Sequence, residues 1–243
     1  ANNSPVSVWP NAAGPSLIAT GTGVLAPTLI HSALNGQAAV RFDGVDDQLT
    51  LPSGFQDFTA GMSMYVVMRP SVLTDSFKVL TLGNGVAAQN IALGRAGTTP
   101  SFQYFTNSSW GEYSFFNTSG GLAAGETSLV AVQQNAGAAD SLAFAEITKN
   151  GVSLFGQNVF VPPVATRSLN YIAKSYFNEG LFQGDVGEVI LYNRKLSTSE
   201  NAAVQAYVAT KYGLSMGGST PSLATPASVA ATAGNASVAL SWG

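Results

Sequence analysis

The sequence predicts an all-β protein, a two-sheet antiparallel sandwich carrying one C-terminal α-helix. Three observations carry this. Apolar residues alternate with period two along most of the chain, Gly- and Asn-rich turns cut it into short runs, and one late segment alone switches to helical spacing. Of the 243 residues, 46% are hydrophobic, ample for a core, while only 9% are charged against about 25% in ordinary soluble chains.

The first clear strands are expected at 39–42 and 48–51. In the run 61–70, Met62, Met64, Val66 and Met68 share one face and Ser63, Tyr65, Val67 and Arg69 the other, until Pro70 ends it. Further strands are expected near 78–82, 91–93, 101–105, 128–133, 142–148, 153–155, 171–174 and 185–192. Asn150-Gly151 tolerates positive φ and reads as a hairpin turn. Ser197 and Glu200 then form a capping box, and Val204, Val208 and Tyr212 repeat at i, i+4 and i+8, with Ala203 and Tyr207 widening the stripe. Gly213 supplies the left-handed stop. Residues 215–226 have no apolar period and read as a flexible linker. Alternation resumes over 227–243, with a Gly234-Asn235 turn.

Composition excludes several functions. Ten Lys and Arg against 13 Asp and Glu give a net charge of −3 with no basic block, so nucleic acid is not an expected partner. The absence of cysteine removes disulfides, thiolate metal sites and thiol nucleophiles. The single histidine, His31, cannot build a His-rich zinc site and reads as a solvated loop residue. No apolar run approaches the roughly 20 residues that span a bilayer, so membrane insertion is not expected. The chain opens at Ala1 without a leader, which reads as a mature or excised piece. Low charge with abundant Thr, Ser, Asn and Gly fits a secreted or cell-surface bacterial β-protein.

Two groups of residues suit binding. Asp46 and Asp47, beside Asp43 in a turn, offer oxygen ligands of the kind Ca²⁺ takes; the competing reading is that these carboxylates bond turn N–H groups. The segment 101–118 packs seven aromatics among Asn, Gln and Ser. Sugars present apolar C–H faces ringed by hydroxyls, so a ring platform with amide partners suits them. Trp110, Tyr113, Tyr104 and Asn107 are the candidate carbohydrate-binding residues. Trp110 either faces a ligand or seals one end of the sandwich, whereas Phe102, Phe105, Phe115 and Phe116 read as core.

Two blocks carry a resemblance. The stretch from Leu34 to Leu49, with Arg41-Phe42-Asp43-Gly44, and the stretch from Phe182 to Ser197, with Gly184-Asp185-Val186, are together similar to the opening and closing strands of bacterial laminin-G-like (concanavalin A-like) jelly-roll domains. Val8-Trp9, Gly14 and Asn150-Gly151 fit the same pattern, which spans residues 1–214. The resemblance implies a jelly roll with the helix packed at its edge. Asp185 resembles the Asp of the Gly-Asp phrase in pentraxin-like members, which implies a further Ca²⁺ ligand. Residues 227–243, ending Ser241-Trp242-Gly243, resemble the first strands of a fibronectin type III domain and imply other domains in the same parent chain.

That jelly-roll family contains lectins, glycan-binding modules, glucanases and lyases, so site residues must decide function. The glucanase signature of alternating carboxylates is absent, and Asp185 and Glu188, three apart, point opposite ways on a strand. Tyr176 to Phe182 only echoes a lyase motif: Asn178 stands at its Lys and Phe182 at its last Tyr. The expected protein is therefore a non-catalytic, lectin-like module for a polysaccharide or cell-surface glycan. The alternative is a structural or adhesive spacer, and a lyase or hydrolase of the same fold comes third.

Overall fold

The computed structural model describes residues 3–14, 17–86, 89–217 and 237–241. The strands are β1 (Ser4–Pro5), β2 (Val8–Trp9), β3 (Ala19–Thr20), β4 (Thr28–Leu34), β5 (Gln37–Asp43) and β6 (Leu49–Leu51). They continue with β7 (Met62–Pro70), β8 (Phe77–Leu82), β9 (Ile91–Arg95), β10 (Ser101–Asn107), β11 (Tyr113–Gly121) and β12 (Ser128–Gln134). The chain closes with β13 (Leu142–Lys149), β14 (Val152–Phe160), β15 (Asn170–Ile172), β16 (Gln183–Tyr192), α1 (Thr198–Tyr212) and β17 (Ser237–Ser241).

Two sheets face each other as a jelly-roll sandwich. One runs β1-β4-β5-β16-β7-β12-β13-β14 and the other β11-β10-β9-β8-β15-β6-β3-β2. The main core lies between them, from Trp9, Phe42, Met62, Met64, Val66 and Met68 to Phe77, Leu93, Tyr104, Ile147 and Val189. The face of β7 that was expected to carry Met62, Met64, Val66 and Met68 does point inward. Gly44, at φ of 75°, turns the chain as it leaves β5, and Gly184, at φ of 152°, lies at the start of β16, the strand paired with β5. β17 pairs parallel to Glu188–Tyr192 of β16. It falls in the segment read as the start of a trailing module; residues 218–236 and 242–243, with most of that reading and of the linker, lie outside the described residues.

The helix has both halves of its capping box and ends at Gly213 in the left-handed region. It departs from expectation in place. It covers the outer face of the middle strands, where Val208 and Tyr212 meet Tyr65, Val67, Leu129, Ala131 and Ile190 in a second core. The reason is visible in β7, whose outward residues Tyr65 and Val67 are as apolar as its inward ones and need cover. Glu188, buried beneath α1, accepts from Tyr207 Oη at 3.0 Å, Tyr212 Oη at 3.3 Å and Lys211 Nζ at 2.9 Å. Asp185 and Glu188 are separated by a bulge between Val186 and Glu188, and each is tied into its own ion pair. His31 lies exposed on β4, beside the register shift at Ser32, and not in a loop.

Candidate functional site

The outer face of the second sheet carries the candidate site. Cross-strand partners there line up in one row: Phe115 on β11, Phe105 on β10, Ala92 on β9, Thr81 on β8 and Tyr171 on β15. Directly paired side chains point to the same side of a sheet, so this row is a property of register. The neighbouring row runs Asn117, Gln103, Gly94 and Lys78. A Cβ on Gly94 would collide with Phe77 O and lie 2.6 Å from Lys78 Cα, so the glycine is required by the close approach of the β8 backbone.

A strap from Ala173 to Phe182 lies over the middle of this face. Its ends are joined by Phe182 N–H donating to Ala173 O at 3.1 Å, the closed-ended form of a compact surface loop. Ala173 N–H donates to Val79 O at 2.9 Å, Thr81 Oγ1 to Lys174 O at 2.7 Å, and Gly180 bridges Phe77. Phe182 anchors the far end in the core, edge-on to Phe77 at 5.3 Å. The strap delivers Phe177, whose ring sits 5.8 Å from Phe105 and 6.3 Å from Tyr113.

Between the strap and β11 lies an open cleft of about 210 Å³, lined by Lys78, Ala96, Gln103, Phe105, Tyr113, Phe115, Phe177 and Glu179. Four rings and three polar side chains thus converge. The volume is below the roughly 300–1,000 Å³ of deep small-molecule pockets, as suits a ligand held on its face. Tyr113 and Phe115 are 47% and 51% exposed, so their rings face the opening, while Phe105 forms the floor. Lys78 Nζ donates to Arg95 O at 3.2 Å and to Glu179 Oε2 at 3.1 Å. Glu179 Oε1 lies 3.0 Å from the same nitrogen but out of line for a hydrogen bond, which leaves it buried without a donor.

The predicted residues part company here. Tyr113 is in the cleft. Trp110 is 61% exposed but stands outside it, edge-on to Phe160 at 6.1 Å. Its loop is pinned where Ser109 N and Oγ both donate to Asp140 at 2.7 Å, so Trp110 does not seal the sandwich. Tyr104 corrects the expectation: it is fully buried, with Oη donating to Gln134 Oε1 at 2.7 Å, because its β10 register turns it inward. Asn107 is buried too, its amide donating to Glu112 O at 3.4 Å across the β10–β11 loop. Phe115, read as core, lies outside because it pairs with Phe105 on the outward side.

The metal candidates divide as well. Asp185 is no open ligand: Arg41 Nε and Arg69 Nη2 donate to it at 2.8 and 2.5 Å, which supplies its counter-charge. Asp43, Asp46 and Asp47 do cluster, with one oxygen from each within 4.8 Å of the others. Asp43 Oδ1 accepts from the N–H groups of Val45, Asp46 and Asp47, and Asp47 Oδ2 accepts from Asp43 N at 2.9 Å. Burial works to raise the Asp43 carboxyl, but these turn N–H bonds outweigh it and hold it low. Asp47 is pushed up to about 6, chiefly by burial and further by the charges of Asp43 and Asp46. Four carboxylate oxygens remain without a turn bond, short of the six to eight ligands Ca²⁺ takes.

Sequence reading missed Phe177, Glu179, Lys78 and Gln103. For Gln103 the signal was its place among the aromatics of 101–118, and for Phe177 and Glu179 it was the segment Tyr176 to Phe182, read only as the echo of a lyase motif.

Comparison with known proteins agrees on the fold. No protein-family model matches the sequence, and no curated protein does. Among solved structures, the chain is similar to domain 4 of AbnA, a GH43 extracellular arabinanase from Geobacillus stearothermophilus, in complex with arabinotriose. The TM-score is 0.57 at 17% identity, covering 82% of this chain and 97% of that one. The binding domain of Paraclostridial Mosquitocidal Protein 1 gives a TM-score of 0.53 at 9% identity, with 85% of this chain covered and 52% of that one. Tailspike protein 2 of an Escherichia coli O157:H7 bacteriophage gives 0.52 at 11% identity, covering 85% of this chain and 28% of that one. At these identities the likeness is one of fold. Among the described residues, no helix is long and apolar enough to cross a membrane.

Proposed function

We propose that this domain is a non-catalytic, lectin-like module that holds a polysaccharide or cell-surface glycan in the cleft between β11 and the strap, within a secreted multidomain protein. One observation carries the reading: Phe105, Tyr113, Phe115 and Phe177 converge with Gln103 and Glu179 on one open face. Rings receive the C–H faces of a sugar while amide and carboxylate receive its hydroxyls. Glycoside hydrolysis needs two carboxyl groups about 5–9.5 Å apart, and Glu179 is the one acid among the lining residues. The oligosaccharide in the arabinanase domain's structure supports the same use of the fold. A trailing fibronectin-type module and other domains of the parent chain belong to this reading.

Ca²⁺ enters the reading at the Asp43, Asp46 and Asp47 turn alone, as a weakly held, water-rich structural ion. Added Ca²⁺ near neutral pH then raises the unfolding midpoint, EDTA reverses it, and Asp47→Asn abolishes the response.

A second reading, an adhesive spacer, draws on a different surface. Trp110, Phe160, Leu142 and Phe144 form an exposed apolar patch at the β13–β14 edge. Isothermal titration of the domain against a panel of polysaccharides separates the two. Binding lost in Tyr113→Ala supports the cleft, whereas silence across the panel favours the spacer.

A further inference from the structure

We propose that Glu179 makes the cleft selective for neutral, hydroxyl-rich glycans and turns away chains bearing uronate or sialate groups. This deepens the glycan-binding reading of the same cleft and rests on it. The lining holds one acid and one base, and they are not equally presented. The Lys78 side chain is 3% exposed and that of Glu179 14%, so the ammonium lies beneath and the carboxylate stands nearer the opening. Lys78 is also committed, its Nζ donating to Arg95 O and to Glu179. Among the described residues, an entering anion meets no free cation in the lining.

The neighbouring bases do not change this. The Arg95 guanidinium is buried and donates to the carbonyls of Thr74, Thr98 and Thr99. Lys174 lies over the Tyr171 ring at 4.9 Å, and Tyr171 does not line the cleft. Glu179, by contrast, keeps acceptor capacity. A carboxylate offers about four lone-pair sites, and the one ammonium beside it, Lys78 Nζ at 3.1 Å from Oε2 and 3.0 Å from the buried Oε1, does not fill them all. Sugar hydroxyls are the donors that fit it. The carboxylate is also held in place, since Glu179 N–H donates to Phe177 O at 2.9 Å and Gly180 bridges Phe77 on β8. A fixed acceptor with an unfilled site discriminates better than a mobile one, because a wrong ligand cannot push it aside.

The test is isothermal titration of wild type and Glu179→Gln with length-matched neutral and uronate- or sialate-bearing oligosaccharides. Wild type is expected to bind a neutral chain at least tenfold more tightly than its acidic counterpart. Glu179→Gln should narrow that ratio while weakening the neutral ligand. A variant with Lys78→Met and Glu179→Gln together avoids stranding the buried ammonium and should narrow the ratio equally. In wild type alone, the ratio should shrink as salt rises from about 0.01 M to 1 M, where the screening length falls from about 30 to 3 Å. Equal or tighter binding of the acidic chain, or a ratio untouched by both variants and by salt, overturns the selectivity and leaves the glycan-binding reading standing. Failure of wild type to bind either class sinks that reading, and this inference with it.

Discussion

Tyr113 and Tyr104 sit nine residues apart on paired strands, and replacing each separates the cleft from the core. Tyr113 has about half of its surface in water. An aromatic side chain buries about 150–250 Å² when enclosed, so Tyr113→Ala forfeits about 100 Å², or at most about 2–3 kcal/mol. The fold survives that loss, because domains carry about 5–15 kcal/mol. Binding should fall by about 2 kcal/mol, roughly 30-fold, as for a ring at the centre of a recognition surface. Tyr104→Phe keeps the buried ring edge-on to Phe116 but strands Gln134 Oε1, at a cost of about 1–3 kcal/mol. For a domain of this size that lowers the melting temperature by roughly 2–4 °C per kcal/mol. Its glycan affinity should stay unchanged. Titration calorimetry beside thermal melting reads both quantities. If Tyr104→Phe loses affinity as Tyr113→Ala does, or if Tyr113→Ala keeps it, the cleft is not the site.

Arg167, fully buried, has no carboxylate partner among the described residues; Nε, Nη1 and Nη2 donate to Gln89 O, Phe55 O and Pro163 O at 2.8, 2.6 and 3.0 Å, and burial pushes its pKa down to about 10. Arg167→Met strands these carbonyls and should cost about 3–5 kcal/mol by urea unfolding; a loss below about 1 kcal/mol contradicts the assignment. Glu188→Gln leaves the Lys211 ammonium half-buried without its counter-charge under the helix, and should destabilise the domain by about 3 kcal/mol while sparing glycan binding. Asp47 has a folded pKa of about 6, above its ordinary 3.8, so the folded state holds a proton that the unfolded chain releases. Its contribution to stability is therefore present at low pH and lost as pH climbs through that window. Unfolding midpoints of Asp47→Asn should fall less steeply across the window than those of wild type, and parallel curves refute the shift.

Much of this protein was legible before folding was considered. Period-two alternation fixed the face of Met62, Met64, Val66 and Met68, the capping box and Gly213 bounded the helix, and Asn150-Gly151 marked a hairpin. These are local features, set by side-chain chemistry within a few residues. The same alternation separated Phe105 from Phe102 and Tyr104, yet it could not say which face of β10 was the outer one. β11 went unread because Asn117, Ser119 and two glycines dilute its pattern, so Phe115 was assigned to the core.

What the tertiary structure alone decided is the candidate site. Gln103 and Lys78 meet through the register of three strands, and Phe177 and Glu179 reach them from a strap some 75 to 100 residues further along. Asp185 was answered by two arginines from other strands, which no spacing announces. Sequence periodicity records which side of its own strand a residue occupies. Only the pairing of strands, a cooperative outcome of burying both faces, determines which distant residues share that side.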